Sequence, residues 1–184
     1  MKGHVCKNIN IFPLNKFHQQ GKDKGKSLLI VGESPAPNGW IISGKACYRP
    51  DGKILPTGKR LNELLVLFDI SVEISGFTEL SKCFVSKRSE LESCSKKCWP
   101  IFLSQINGKN YKLLIILGVQ TTKIFSKLIN KELVVGEMSD VELGGKLYKV
   151  LPIFHPSPIN TTGHPKNIIL FKKLYKKINN LLKK

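Results

Sequence analysis

The sequence predicts an α/β fold of three layers, with a central, mostly parallel, four-stranded sheet between two layers of helices. Two observations carry that reading. Short apolar runs at 28–31, 74–80, 113–117 and 147–154 alternate with segments whose apolar residues recur at helical spacing. Two of the runs end in loops dense in Gly and Pro, which stop a strand abruptly. Strands alternating with helices imply a parallel sheet covered on both faces.

The elements follow in chain order. Residues 1–26 are polar and lysine-rich, and read as a basic arm with a short helix and a flexible link. Within the arm, Ile11-Phe12-Pro13-Leu14 is expected to pack on the domain that fills 27–184. Leu28-Leu29-Ile30-Val31 is the first strand. Residues 33–56 hold four prolines and three glycines, and a long irregular segment in a compact domain is usually functional. Leu61, Leu64, Leu65 and Phe68 share one helix face over 57–68. A strand over 74–80 comes next. Ser89-x-x-Glu92 is a capping-box pattern that opens a helix to Ile106, with a kink or break at Pro100. A strand over 113–117 and a helix over 120–129 follow. Gly144-Gly145 forms a hairpin turn between Val141 and Leu147, and the last strand runs over 147–154. Pro165 opens a single helix to Leu182, with Ile169, Leu170, Leu174, Ile178 and Leu181 inward and Lys172, Lys173, Lys176 and Lys177 in water.

A length of 184 residues suits one domain, and 41% hydrophobic content suffices for a core. No apolar run approaches the roughly 20 residues of a membrane span, and the N-terminus lacks a signal-peptide core. The expectation is an intracellular, cytoplasmic monomer that does not enter membranes. A net charge of +17 suits a polyanionic partner, because each neutralised phosphate releases counterions. Part of that charge is a general lysine bias, since Lys far outnumbers Arg.

Two loops carry the candidate chemistry. The first strand runs into Gly32-Glu33-Ser34-Pro35, a carboxylate and a hydroxyl in a Gly/Pro-fixed turn. The last runs into Phe154-His155-Pro156-Ser157-Pro158-Ile159-Asn160, which presents an imidazole, a hydroxyl and an apolar tip. In a parallel sheet both loops lie at one edge, which brings Glu33 and His155 near each other.

The motif pair resembles the uracil-DNA glycosylase superfamily, in which Gly-x-x-Pro follows the first core strand and His-Pro-Ser-Pro, in several members, the last. Thr57-Gly58-Lys59-Arg60-Leu61-Asn62-Glu63, Lys82-Cys83, Cys98-Trp99-Pro100 and the run ending Leu117-Gly118 extend the likeness over roughly 28–182. The details are similar to the family-4-like, iron–sulfur-bearing branch. The resemblance implies a DNA glycosylase of base-excision repair. Such an enzyme flips a deaminated base, uracil or a related lesion, out of single- or double-stranded DNA and hydrolyses its N-glycosidic bond.

The resemblance also implies roles. His155 would donate to the carbonyl oxygen of the leaving base. Ser157, with Pro158 and Asn160, would hold the DNA backbone, and Ile159 would wedge into the duplex. Gly32, Ser34 and Pro35 would line the base pocket. The water-orienting position of the first motif, Asp or Asn in the best-known members, is Ser34 here. The iron–sulfur branch has Glu one residue earlier, which matches Glu33. The base-reading asparagine lands on Glu79, and an ionised carboxylate, which only accepts hydrogen bonds, would repel the O4 of uracil. Trp40 and Tyr48 are the candidate stacking rings. Two cluster ligands of that branch match Cys83 and Cys98. Its N-terminal Cys-x-x-Cys is reduced to Cys6, with Cys47 or Cys94 as substitutes. The chemistry itself requires no cofactor, and structural thiols remain the other reading of the cysteines. Two other functions stay open: a catalytically degenerate nucleic-acid-binding protein on the same fold, and an enzyme of free nucleosides or nucleotides.

Overall fold

The computed structural model describes residues 16–183. Cys6, the 11–14 segment and the short helix expected in the arm lie outside the described residues. Six strands form one sheet: β1 (His18–Gln19), β2 (Leu28–Gly32), β3 (Gly76–Glu79), β4 (Leu113–Leu117), β5 (Ser139–Leu143) and β6 (Lys146–Ile153). Their order is β1-β3-β2-β4-β6-β5. The four inner strands run parallel, as expected. Two antiparallel edges, β1 on β3 and β5 on β6, enlarge the sheet from four strands to six. Phe17 is buried and β1 belongs to the sheet, although both precede the boundary expected at residue 27.

Every residue of β2 and β4 is buried, the pattern of strands covered on both faces. Leu28, Ile30, Leu113 and Ile115 face one helical layer, and Leu29, Val31, Leu114 and Ile116 face the other. The first layer holds α1 (Trp40–Ser43), α2 (Pro56–Leu65), α5 (Gly163–Lys173) and α6 (Tyr175–Lys183). The second holds α3 (Leu91–Ile106) and α4 (Val119–Leu128). In α2, Pro56 takes the first turn, where its missing N–H costs nothing, and Leu61, Leu64 and Leu65 turn inward. Burying each of these leucines contributes about 2 kcal/mol.

Three local expectations are corrected. The C-terminal helix is two helices, because Leu174 leaves helical geometry at φ −90°, ψ 4°. Ile169 is exposed rather than inward, while Ile178 is buried. Helix α3 passes through Pro100 without a break, and no side chain caps its N-terminus; Ser93, not Ser89, bonds back to the Glu90 carbonyl. The expected hairpin is present, with Gly144 and Gly145 both at positive φ between β5 and β6. No helix among the described residues is long and apolar enough to cross a membrane.

Candidate active site

The carboxyl ends of β2, β3, β4 and β6 open into a cleft of about 570 Å³. Sheet topology explains its place. Parallel strands end together, and the chains leaving β2 and β6 enter one helical layer while the chain leaving β4 enters the other.

The loop after β2 is locked from one side by the chain leaving β3. Leu80 donates to the Gly32 carbonyl at 2.9 Å and Ser81 to that of Glu33 at 3.0 Å. Glu33 meets the Arg88 guanidinium at 3.2 Å. Gly32 admits the Glu79 side chain directly over its backbone: a Cβ at position 32 would lie 2.2 Å from Glu79 Oε2.

The loop after β6 is held by side chains that the sequence did not point to. Arg60 of α2 donates to the Ser157 carbonyl at 2.8 Å. Asn167 of α5 accepts from the Phe154 N–H at 3.1 Å and donates to its carbonyl at 2.8 Å. Gly118, at φ 96°, lets His155 approach so closely that a Cβ there would stand 3.2 Å from that of the histidine. The Ser157 backbone N–H donates to His155 Nδ1 at 3.1 Å. An amide can only donate, so Nδ1 accepts, and the proton of the neutral ring sits on Nε2. Burial first, then the charge of Arg88, lowers the His155 pKa below its ordinary 6.5. The ring remains reachable from the cleft while protein crowds its other sides. It is therefore a neutral donor at physiological pH.

The structure places Gly32, Glu33, Ser34, Trp40 and Glu79 on the lining of this cleft, together with His155, Ser157, Ile159 and Asn160. Ile159 stands at its rim, 93% exposed. Pro35, Tyr48 and Pro158 are outside the lining. Pro35 is buried behind the turn. Tyr48 has the Lys45 ammonium 4.1 Å over its ring, so that face is occupied. Trp40 is only 6% exposed and packs edge-on against Phe17 and Phe77. Asn160 spends its side chain on its own loop, donating to the His155 carbonyl at 3.3 Å and accepting from Gly163 at 2.9 Å.

Phe77 was missed as a lining ring. Its signal was available: it precedes Glu79 by two residues on a strand, so both side chains leave the same face. Glu79 is half-buried on the cleft wall, and burial raises its pKa from 4.5 to about 8. Lys82 opposes that shift and Glu33 adds to it. Lys82 is itself buried, its pKa lowered to about 7 by desolvation. Its ammonium bonds Thr78 Oγ1 at 2.6 Å and the Glu79 backbone carbonyl.

The described thiols lie on both faces of the sheet. Cys83 and Cys94 pack in the core on the α3 face, and Cys98 Sγ accepts from the Lys82 N–H at 3.4 Å. Cys47 lies on the opposite face of the sheet, and burial pushes its thiol up to about 12, away from the thiolate a metal needs. Among the described residues no three His, Cys, Asp or Glu side chains gather closely enough to hold a metal.

A comparison with curated proteins finds no match. The family model described as the uracil DNA glycosylase superfamily matches residues 18–183. That span runs from the first residue of β1 to the last of α6, so the whole described sandwich, and not the motif loops alone, makes this chain a member of the uracil DNA glycosylase superfamily.

Proposed function

We propose that the protein is a DNA glycosylase that extrudes a deaminated base into the β2–β6 cleft and releases it by hydrolysing its N-glycosidic bond. The observation that carries this is the fixed tautomer of His155. Breaking the bond leaves negative charge on the base, largely on its carbonyl oxygen. A neutral imidazole whose Nδ1 is engaged by Ser157 keeps its proton on Nε2 for that oxygen, and stabilises the charge without giving the proton up. One donor of this kind is worth about 3 kcal/mol.

The remaining groups support the other half of the reaction. The sugar becomes cationic as the base departs. Glu33, at the mouth of the cleft, supplies negative charge and an acceptor that orients the attacking water. Water adds to the anomeric carbon, its proton leaves through solvent or Glu33, and the base departs as an anion that is then protonated. Ile159, exposed at the rim, fills the space left in the duplex. The basic surface, Lys172, Lys173, Lys176 and Lys177 included, draws in the DNA backbone.

One observation favours a second reading, a DNA-binding protein without catalysis. Glu33 is engaged by Arg88, and its neighbour Ser34 offers only a hydroxyl to a water. A base-release assay decides between the two, using duplexes that carry uracil, hypoxanthine, xanthine or a mismatch. Release from at least one, abolished in His155→Ala, supports the glycosylase. Tight binding with no release from any supports the second reading.

A further inference from the structure

Among the described residues, Arg88 is the lone Lys or Arg on the lining of the β2–β6 cleft. The lining also carries the carboxyls of Glu33 and Glu79, so a DNA backbone drawn to this mouth meets one cation and two acidic side chains. Arg88 opens the helical turn that leads into α3, which fixes its backbone. Its Nη1 donates to Glu33 Oε2 at 3.2 Å. The two partners are unlike: the Arg88 side chain is 74% exposed and that of Glu33 27%. A guanidinium has five N–H donors, and this exposure leaves most of them turned to solvent. An ion pair with so exposed a cation is weak, and a phosphate, which offers two oxygens to the fork, competes well for it. The charge of Arg88 also reaches His155, where it adds to burial in keeping the ring neutral.

Resting on the glycosylase reading above, we infer that Arg88 exchanges partners when DNA binds: its guanidinium leaves Glu33 for a backbone phosphate beside the extruded nucleotide, and the carboxylate it uncovers faces the sugar. In the free protein the pair cancels charge at the mouth, so Glu33 does little to repel an approaching backbone. After the exchange, Glu33 has its full negative charge and open lone pairs where the sugar turns cationic and where a water must be oriented. A bound backbone triggers the exchange, so the carboxylate is uncovered when a substrate sugar is there to use it. Arg88 is thus a positioning residue, which acts on the reaction through Glu33 and touches no reacting atom. The contact between Arg88 and Glu33 in the free protein is then a resting state and not a lost function.

The cations around Arg88 are placed differently. Lys82 is buried and bonds Thr78 Oγ1 and the Glu79 carbonyl. Arg60 holds the Ser157 carbonyl from α2. Lys87 is exposed next to Arg88 in the chain but lies outside the cleft lining. It carries the same charge without the contact to Glu33, which makes it the control.

The test is a double-mutant cycle on DNA affinity, independent of bond cleavage. The probe is a duplex carrying a tetrahydrofuran abasic analogue, which has no base to release, and fluorescence anisotropy reads its affinity. Binding to wild type must break the pair, whereas binding to Glu33→Gln has no pair to break. Glu33→Gln should therefore tighten binding by about threefold more in wild type than in Arg88→Ala. Lys87→Ala should show no such coupling to Glu33→Gln. Arg88→Ala should also lower the slope of log affinity against log salt by about 0.9, one phosphate contact, and Arg88→Lys should restore it. Equal tightening by Glu33→Gln in wild type and in Arg88→Ala overturns the inference, because the pair then survives binding. An unchanged salt slope in Arg88→Ala overturns it as well. Base release is scored separately, and Glu33→Gln should slow release while it tightens binding. Coupling without release from any lesion sinks the glycosylase and keeps the exchange; release without coupling does the reverse.

Discussion

Asn167 grips Phe154 by both of its backbone groups, accepting from its N–H at 3.1 Å and donating to its carbonyl at 2.8 Å. The chain has just left β6 at that point and has no strand partner to satisfy it. A side-chain amide from α5 takes the partner's place, and the next residue is His155. The imidazole is thus aimed by a helix that follows it in sequence.

Asn167→Ala removes both bonds and leaves both backbone groups of the half-buried Phe154 unpaired. Unfolding free energy should fall by about 2 kcal/mol, read from the urea midpoint. Single-turnover base release should slow more than DNA affinity weakens. Equal losses in the two would mean that Asn167 holds the fold but does not position His155.

His155→Ala should slow base release by roughly 10²–10³-fold with DNA binding nearly intact. The pH profile carries a second check. Protonating the ring puts a hydrogen on Nδ1 and turns the Ser157 N–H contact from attraction to repulsion. Release in wild type should therefore fall as pH drops through the His155 pKa, and that limb should lie below the ordinary 6.5. A limb at or above the ordinary value would contradict the neutral-donor role.

Ile159→Ala should weaken release from double-stranded substrate by about tenfold and leave single-stranded substrate nearly unchanged. The side chain touches almost nothing in the protein, so stability should not move. Equal losses on both substrates would assign Ile159 some role other than opening the duplex.

Glu79→Gln should raise the melting temperature at alkaline pH. The folded state lifts this carboxyl from 4.5 to about 8, so it favours the protonated form. That contribution is complete below the unfolded value and is lost as pH rises through the folded one. Wild type and variant should melt alike near about pH 4, and the variant several degrees higher near about pH 9. Lys82 contributes the opposite trend, and the Glu79 charge that raises its pKa is missing in the variant, so Lys82 titrates lower there than in wild type. A constant difference across pH would mean that Glu79 does not titrate in this range.

The layered sheet was readable because its signals are local. Apolar runs of strand length, helical spacing in 57–68 and Gly144-Gly145 each depend on neighbours within a few residues. The motif loops were readable for the same reason, since Gly and Pro restrict their own backbone. The edge strand β1 was not: two residues of ordinary composition become a strand only because β3 lies open beside them. The break at Leu174 was equally hidden, because the helical spacing continues through it and packing against the sheet decides where the turn falls.

The sequence by itself determined the four inner strands and their alternation with helices, the punctuation of the two loops, and the presence of His155, Glu33 and Glu79 at strand ends. Only the tertiary structure decided what those side chains are. Nδ1 of His155 becomes an acceptor because Ser157 turns its N–H back onto the ring. Glu79 becomes a weak acid because Gly32 has no side chain to keep it out of the interior. Phe77 replaces Tyr48 as a cleft-lining ring because Lys45 covers one and the strand pleat presents the other. Protonation, tautomer and exposure are set by the surrounding field and by excluded water, which residues distant in sequence supply together.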